Sequence, residues 1–126
     1  MKNGVSICLV FVGIIHLLPL SGVVGAERLS ALYGITIDDT NLEILLQHRA
    51  VLFGLLGSFL LAAAFIEKYQ WAAIIGTGIS AAVFILIAMI KAPYSESIDT
   101  VVITDIAVLL VLVIATALKA KSASHE

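Results

Sequence analysis

The stretch Thr40–Ile66, TNLEILLQHRAVLFGLLGSFLLAAAFI, decides how the chain relates to a membrane. Its apolar part, Ala50–Ile66, reaches only about 25 Å as a helix, short of the roughly 30 Å of bilayer hydrocarbon. To span, the helix must extend back through Arg49 and His48. A start signal supports the extension: Thr40 fits an N-cap with Glu43 three residues on, a capping box. The expected span, about 43–66, then carries His48 and Arg49 at or just inside the hydrocarbon boundary.

The rest of the chain repeats this pattern. Of its 126 residues, 61% are hydrophobic and only 13% charged, about half the charged share of a soluble domain. A mean hydropathy of +1.14 would leave a soluble fold with more apolar surface than it could hide. The apolar residues also lie in long blocks, which is a membrane pattern. Further spans are expected at about 4–25, 70–91 and 100–118, with an outer loop over 26–42. The last apolar block, Ile106–Leu118, is short and must extend back through Asp105 and Thr104. The expectation is one all-α transmembrane domain over 1–126, a four-helix bundle.

Orientation follows from Lys and Arg in the short loops. Lys2, Lys68, Lys119 and Lys121 lie on one side; Arg28, Arg49 and Lys91 lie on the other with most of the acidic residues. Both termini are therefore read as cytoplasmic. A competing reading takes residues 1–26 as a secretory signal cleaved after Ala26. Against it stand the length of the apolar stretch and the presence of His16 and Pro19 within it.

With this orientation His16, His48, Arg49 and Asp105 gather in the outer half of the bilayer, and the inner half is almost free of ionisable groups. A charge at mid-membrane costs about 2.5–3.5 kcal/mol on insertion scales, so such groups face partners or cavities. Arg49 and Asp105, opposite in charge and similar in depth, are expected to pair across helices. With His16 and His48 they form the candidate ligand-binding set, an outward-opening pocket for a polar or anionic headgroup. An Arg fork suits carboxylate, phosphate or a quinone carbonyl. The structural alternatives are a snorkelling Arg49, an ion pair that only fixes helix register, and a His16 that serves as a hydrogen-bonded bundle residue.

Other motifs are less informative. Cys8 is the single cysteine and lies in an apolar block, so no disulfide or paired-thiol motif exists. No His spacing suggests a metal site, no basic run suggests nucleic acid, and GTG at 76–78 lacks the strand and Lys of a phosphate loop. No catalytic residue is assigned. The spacings Gly54-xxx-Ser58-xxx-Ala62, Gly76-xxx-Ser80 and Gly78-xxx-Ala82 predict close helix packing inside the bundle, with dimerisation the alternative. Within the outer loop, ERLSALYG reads either as an ordered loop or as a short interfacial helix with Leu29, Leu32 and Tyr33 toward lipid.

The segments GIIHLLPLSGVVGAERLSALYGI (Gly13–Ile35) and NLEILLQHRAVLFGLLGSFLLAAAF (Asn41–Phe65) resemble short bacterial inner-membrane proteins that are broadly similar to DoxX-like four-helix membrane proteins. The resemblance covers most of the chain, and HRAVLFGLLG, His48–Gly57, is its most specific part. DoxX-like proteins include small membrane subunits linked to quinone-dependent oxidation, an analogy that transfers no catalytic residue. Some look-alikes carry the name phosphopantetheine adenylyltransferase. That activity belongs to a soluble α/β enzyme with an HxGH motif, and this chain has neither the motif nor alternating strands.

The resulting expectation is a non-catalytic inner-membrane subunit or binding module for a lipid-like or quinone-like ligand, with no resident cofactor. Its surroundings are the lipid bilayer and a membrane protein partner or further copies of itself, not nucleic acid. The alternatives are a subunit of a membrane redox enzyme and a small oligomeric transporter component.

Overall fold

Four stretches are apolar on every side, and each folds as a long helix, as segments solvated by lipid must, because hydrocarbon offers no partner to an open backbone. The computed structural model describes residues 2–125. Helix α1 spans Lys2–Leu17 and continues as a 3₁₀ segment, Leu18–Val24; α2 is Ala26–Tyr33, α3 Thr40–Phe65, α4 Gln70–Lys91 and α5 Glu96–Ala123. A second 3₁₀ turn of helix, Glu67–Tyr69, precedes α4, and there is no strand among the described residues. Four helical stretches, Lys2–Val24, Thr40–Phe65, Glu67–Lys91 and Glu96–Ala123, are long and apolar enough to cross a membrane. Large apolar side chains such as Phe11, Leu55, Ile79 and Val113 are exposed around the bundle, far beyond what a water-facing surface carries.

Helix α1 is central. It packs along α3 on one side and α5 on the other, and α4 packs on α5. Successive helices α3 and α4 meet only sparsely, which leaves an open seam between them. The core runs through Val5, Leu9 and Val12 of α1, Leu60 and Ala63 of α3, Ala73 and Ala81 of α4, and Val108 and Leu112 of α5.

The small-residue packing differs from expectation. Ser58 and Ala62 are exposed, and Gly76 has nothing within 4 Å of where a Cβ would sit. The close approach falls instead between Gly13 and Gly57. A Cβ on Gly57 would lie 2.9 Å from the Gly13 carbonyl oxygen, and one on Gly13 would lie 3.1 Å from that of Gly57. Helices α1 and α3 thus touch backbone to backbone, as small residues permit in lipid.

Pro19 lacks the N–H that would continue the α-helix, and α1 tightens into the 3₁₀ segment there. Gly25 and Gly34, with φ of 146° and 62°, make the turns around α2 that side-chain-bearing residues adopt only with strain. Helix α2 then folds over the bundle end. Its Leu29 and Tyr33 are buried against protein, which corrects their expected lipid-facing placement: the cap covers helix ends whose backbone groups need partners. Ala26 N–H donates to Glu43 Oε1 at 3.2 Å, and Gln47 Nε2 donates to the Val23 carbonyl at 3.0 Å. The α3 cap is therefore Asp39, whose carboxylate accepts from Asn41 N–H at 2.8 Å. Thr40 lies inside the helix, and Glu43 serves α2 rather than a capping box.

The opposite end joins the start of α1, the α3–α4 turn and the end of α5. Lys2 and Lys119 lie 3.4 and 4.0 Å from the Glu67 carboxylate, and buried Lys119 donates to Gln70 Oε1 at 2.9 Å. Lys2 and Lys119 were expected on this side of the membrane; the inward fold of the Lys119 stem onto Gln70 was not. Lys119→Ala is expected to lower the thermal midpoint in detergent more than Lys121→Ala, because only the former strands the buried Gln70 amide. Equal midpoints would remove this latch from the account of stability.

Candidate functional site

Arg49 and Asp105 each lie about 14 Å along their helices from the first residue, and His16 about 21 Å along α1 from the other end. The antiparallel packing brings these three to one level beneath the α2 cap. With Phe53 they line two cavities at once. The first, about 320 Å³, lies between α1, α3 and α5 beside Leu32 and Tyr33 of α2 and is partly open. The second, about 330 Å³, lies in the α3–α4 seam between Leu52 and Leu56 on one side and Val83 and Ile87 on the other. The polar residues form the wall between them.

Arg49 and Asp105 do not form the expected ion pair: the direct pairs among the described residues are those of Glu67. The guanidinium carbon sits instead 4.9 Å from the Phe53 ring centroid, 5.2 Å from Phe84 and 5.3 Å from Tyr33. Three ring faces attract the cation, and both charged groups line the same two cavities. Among the described residues no group donates a hydrogen bond to Asp105, which is only 9% exposed.

His16 is buried in α1, and its Nδ1 lies 2.8 Å from the Val12 carbonyl oxygen. That oxygen can only accept, so Nδ1 donates, and Nε2 of the neutral ring is an acceptor. The ring packs 5.7 Å from Phe53, and Nε2 has no protein partner. His48 does not join the group. It is exposed and lines neither cavity, because adjacent helical residues point about 100° apart and Arg49 takes the inward direction.

The aromatic cage was not expected from sequence. Phe53, four residues after Arg49 on the same helix face, carried the one available signal; Tyr33 and Phe84 come from other helices. The assembled wall offers unspent N–H donors from Arg49 and unspent acceptors on Asp105 and His16. Among the described residues, no group of three or more His, Cys, Asp or Glu is placed to hold a metal ion. Comparison with family models, curated proteins and solved structures gives no match.

Proposed function

We propose that this protein is a small non-catalytic binding module of a bacterial inner membrane, broadly DoxX-like, that holds a lipid-like or quinone-like molecule. The head rests on Arg49, Asp105 and His16, and the tail lies in the α3–α4 seam. One observation carries this reading: donors and acceptors left without protein partners face two cavities of ligand size. Buried polar groups in proteins are generally paired, and ligand sites are mostly apolar with a few convergent polar groups. The test is native mass spectrometry of the full chain in mild detergent. A retained small molecule, lost in Arg49→Ala, is the expected result; a bare protein would overturn the reading. A bound chromophore would favour the redox-subunit alternative.

Both termini are proposed to be cytoplasmic. The structure brings the Lys2 and Lys119 ends together, and with Lys68 and Lys121 they carry the basic excess that faces the cytoplasm. Reporter fusions after Lys68 and Lys121 are expected to report cytoplasm, and a periplasmic signal at either would reverse the topology.

A second reading, association with a further copy or a partner helix, rests on α4. Gly76 and Ser80 lie exposed on its outer face, where a helix can approach closely. Cross-linking through cysteine at Gly76 in membranes tests it, with a monomer-only result counting against it.

A further inference from the structure

Arg49 and Asp105 are the charged residues lining both cavities, and their opposite charges face one shared space without a direct bond. An anionic head would gain the guanidinium but meet the Asp105 carboxylate, and a cationic head would meet the reverse. In a site of low dielectric, that like-charge encounter is weakly screened. An uncharged oxygen head escapes both penalties. Its oxygens accept from Arg49, while a hydroxyl donates to Asp105 or to His16 Nε2.

The remaining polar lining fits the same chemistry. Thr100 and Thr104 spend their hydroxyl hydrogens on the carbonyls of Glu96 and Thr100, at 3.1 and 2.8 Å, and so present oxygens that accept. Hydroxyls of Ser97 and Tyr33 also line the first cavity. With a carboxylate, a ring nitrogen and threonine oxygens that accept, and a guanidinium that donates, the lining suits a ligand that donates as well as accepts. The seam supplies the tail's environment: Leu52, Leu56, Val83 and Ile87 wall a groove that opens sideways where α3 and α4 part. Leu32 and Tyr33 of the α2 cap line the first cavity, on the side away from the seam.

We infer that the ligand is an uncharged, hydroxyl-headed lipid that enters laterally from the bilayer through the α3–α4 seam. This rests on the proposal that the wall binds a ligand, and it narrows the polar or anionic headgroup expected from sequence to a neutral alcohol. No bond is made or broken.

The experiment is native mass spectrometry of the full chain in mild detergent, titrated with three probes sharing the same tails. These are dioctanoylglycerol, the same molecule acetylated on its hydroxyl, and dioctanoyl phosphatidic acid. Dioctanoylglycerol is expected to form a one-to-one adduct at concentrations about tenfold or more below the other two, since each lacks the neutral donor that the acceptors require. Asp105→Ala is expected to remove most of that preference. Val83→Trp, on an exposed position of the seam, is expected to weaken uptake without disturbing the core. Tighter binding of phosphatidic acid would overturn the neutral-head inference and leave the binding-module reading standing. Equal binding of the acetylated probe would overturn recognition of the hydroxyl. Unchanged uptake by Val83→Trp would overturn the lateral route, and no adduct with any probe would overturn the inference, while the binding-module reading falls only if the untitrated protein is also bare.

Discussion

Gly57→Ala is expected to destabilise the protein, although alanine is the better helix former. The new Cβ would lie 2.9 Å from the Gly13 carbonyl oxygen and 2.9 Å from Leu17 Cγ. A side chain can turn aside, but the carbonyl is part of the α1 backbone, so α1 and α3 must move apart. That separation loosens the contact along their shared face and shifts His16 relative to Phe53, the pair at the cavity wall. Overpacking of this kind costs about 1–3 kcal/mol, against roughly 1 kcal/mol recovered from helix propensity. Gly76→Ala is the control. Nothing stands within 4 Å of its Cβ, so only the propensity gain applies, and its midpoint is expected to equal or exceed that of the parent. Thermal midpoints of the two variants in one mild detergent settle the comparison. If Gly57→Ala melts with the parent, the backbone approach is not what holds α1 to α3.

The contrast between these glycines also shows where sequence reading fails in a membrane fold. Span number was legible because lipid-solvated helices must be long and apolar. The extension of α3 through Arg49 was legible because a shorter helix could not cross. Which face turns inward was not. In water an apolar stripe marks the core, but here both faces are apolar and periodicity loses its meaning. Gly54-xxx-Ser58-xxx-Ala62 therefore looked like a packing face although Ser58 and Ala62 are exposed, while Gly13 and Gly57 lie on separate helices with nothing local to link them.

The polar site divides in the same way. The shared depth of His16, Arg49 and Asp105 followed from helix length and direction alone. Their actual partners did not, because the cage around Arg49 draws Tyr33 from α2 and Phe84 from α4. Charge complementarity suggested a direct Arg49–Asp105 bond, but the guanidinium lies among three rings instead. Lys119 lies at the end expected of its charge, but its buried partner Gln70 was not legible, because a flexible stem sets the reach.

Arg49→Ala is expected to be more destabilising than any other removal of a basic side chain. It deletes contacts to three rings, each worth about 0.5–2 kcal/mol and not additive. It also removes the positive charge that shares the cavities with buried Asp105, a smaller cost than breaking a direct buried pair. Adding Asp105→Asn removes that second cost, so the double variant is expected to recover part of the lost stability. Arg49→Lys keeps the charge but not the planar group that lies among three faces, and is expected to fall between parent and Arg49→Ala. Lys68→Ala bounds the scale from below, since Lys68 lies over the exposed Tyr69 ring and its loss is expected to change little. The four variants, melted side by side, separate the two contributions. No recovery in the double variant would mean that the cage alone holds Arg49. A parental midpoint for Arg49→Ala would make the guanidinium a mere interface anchor, and the cavity wall would lose the residue on which its chemistry turns.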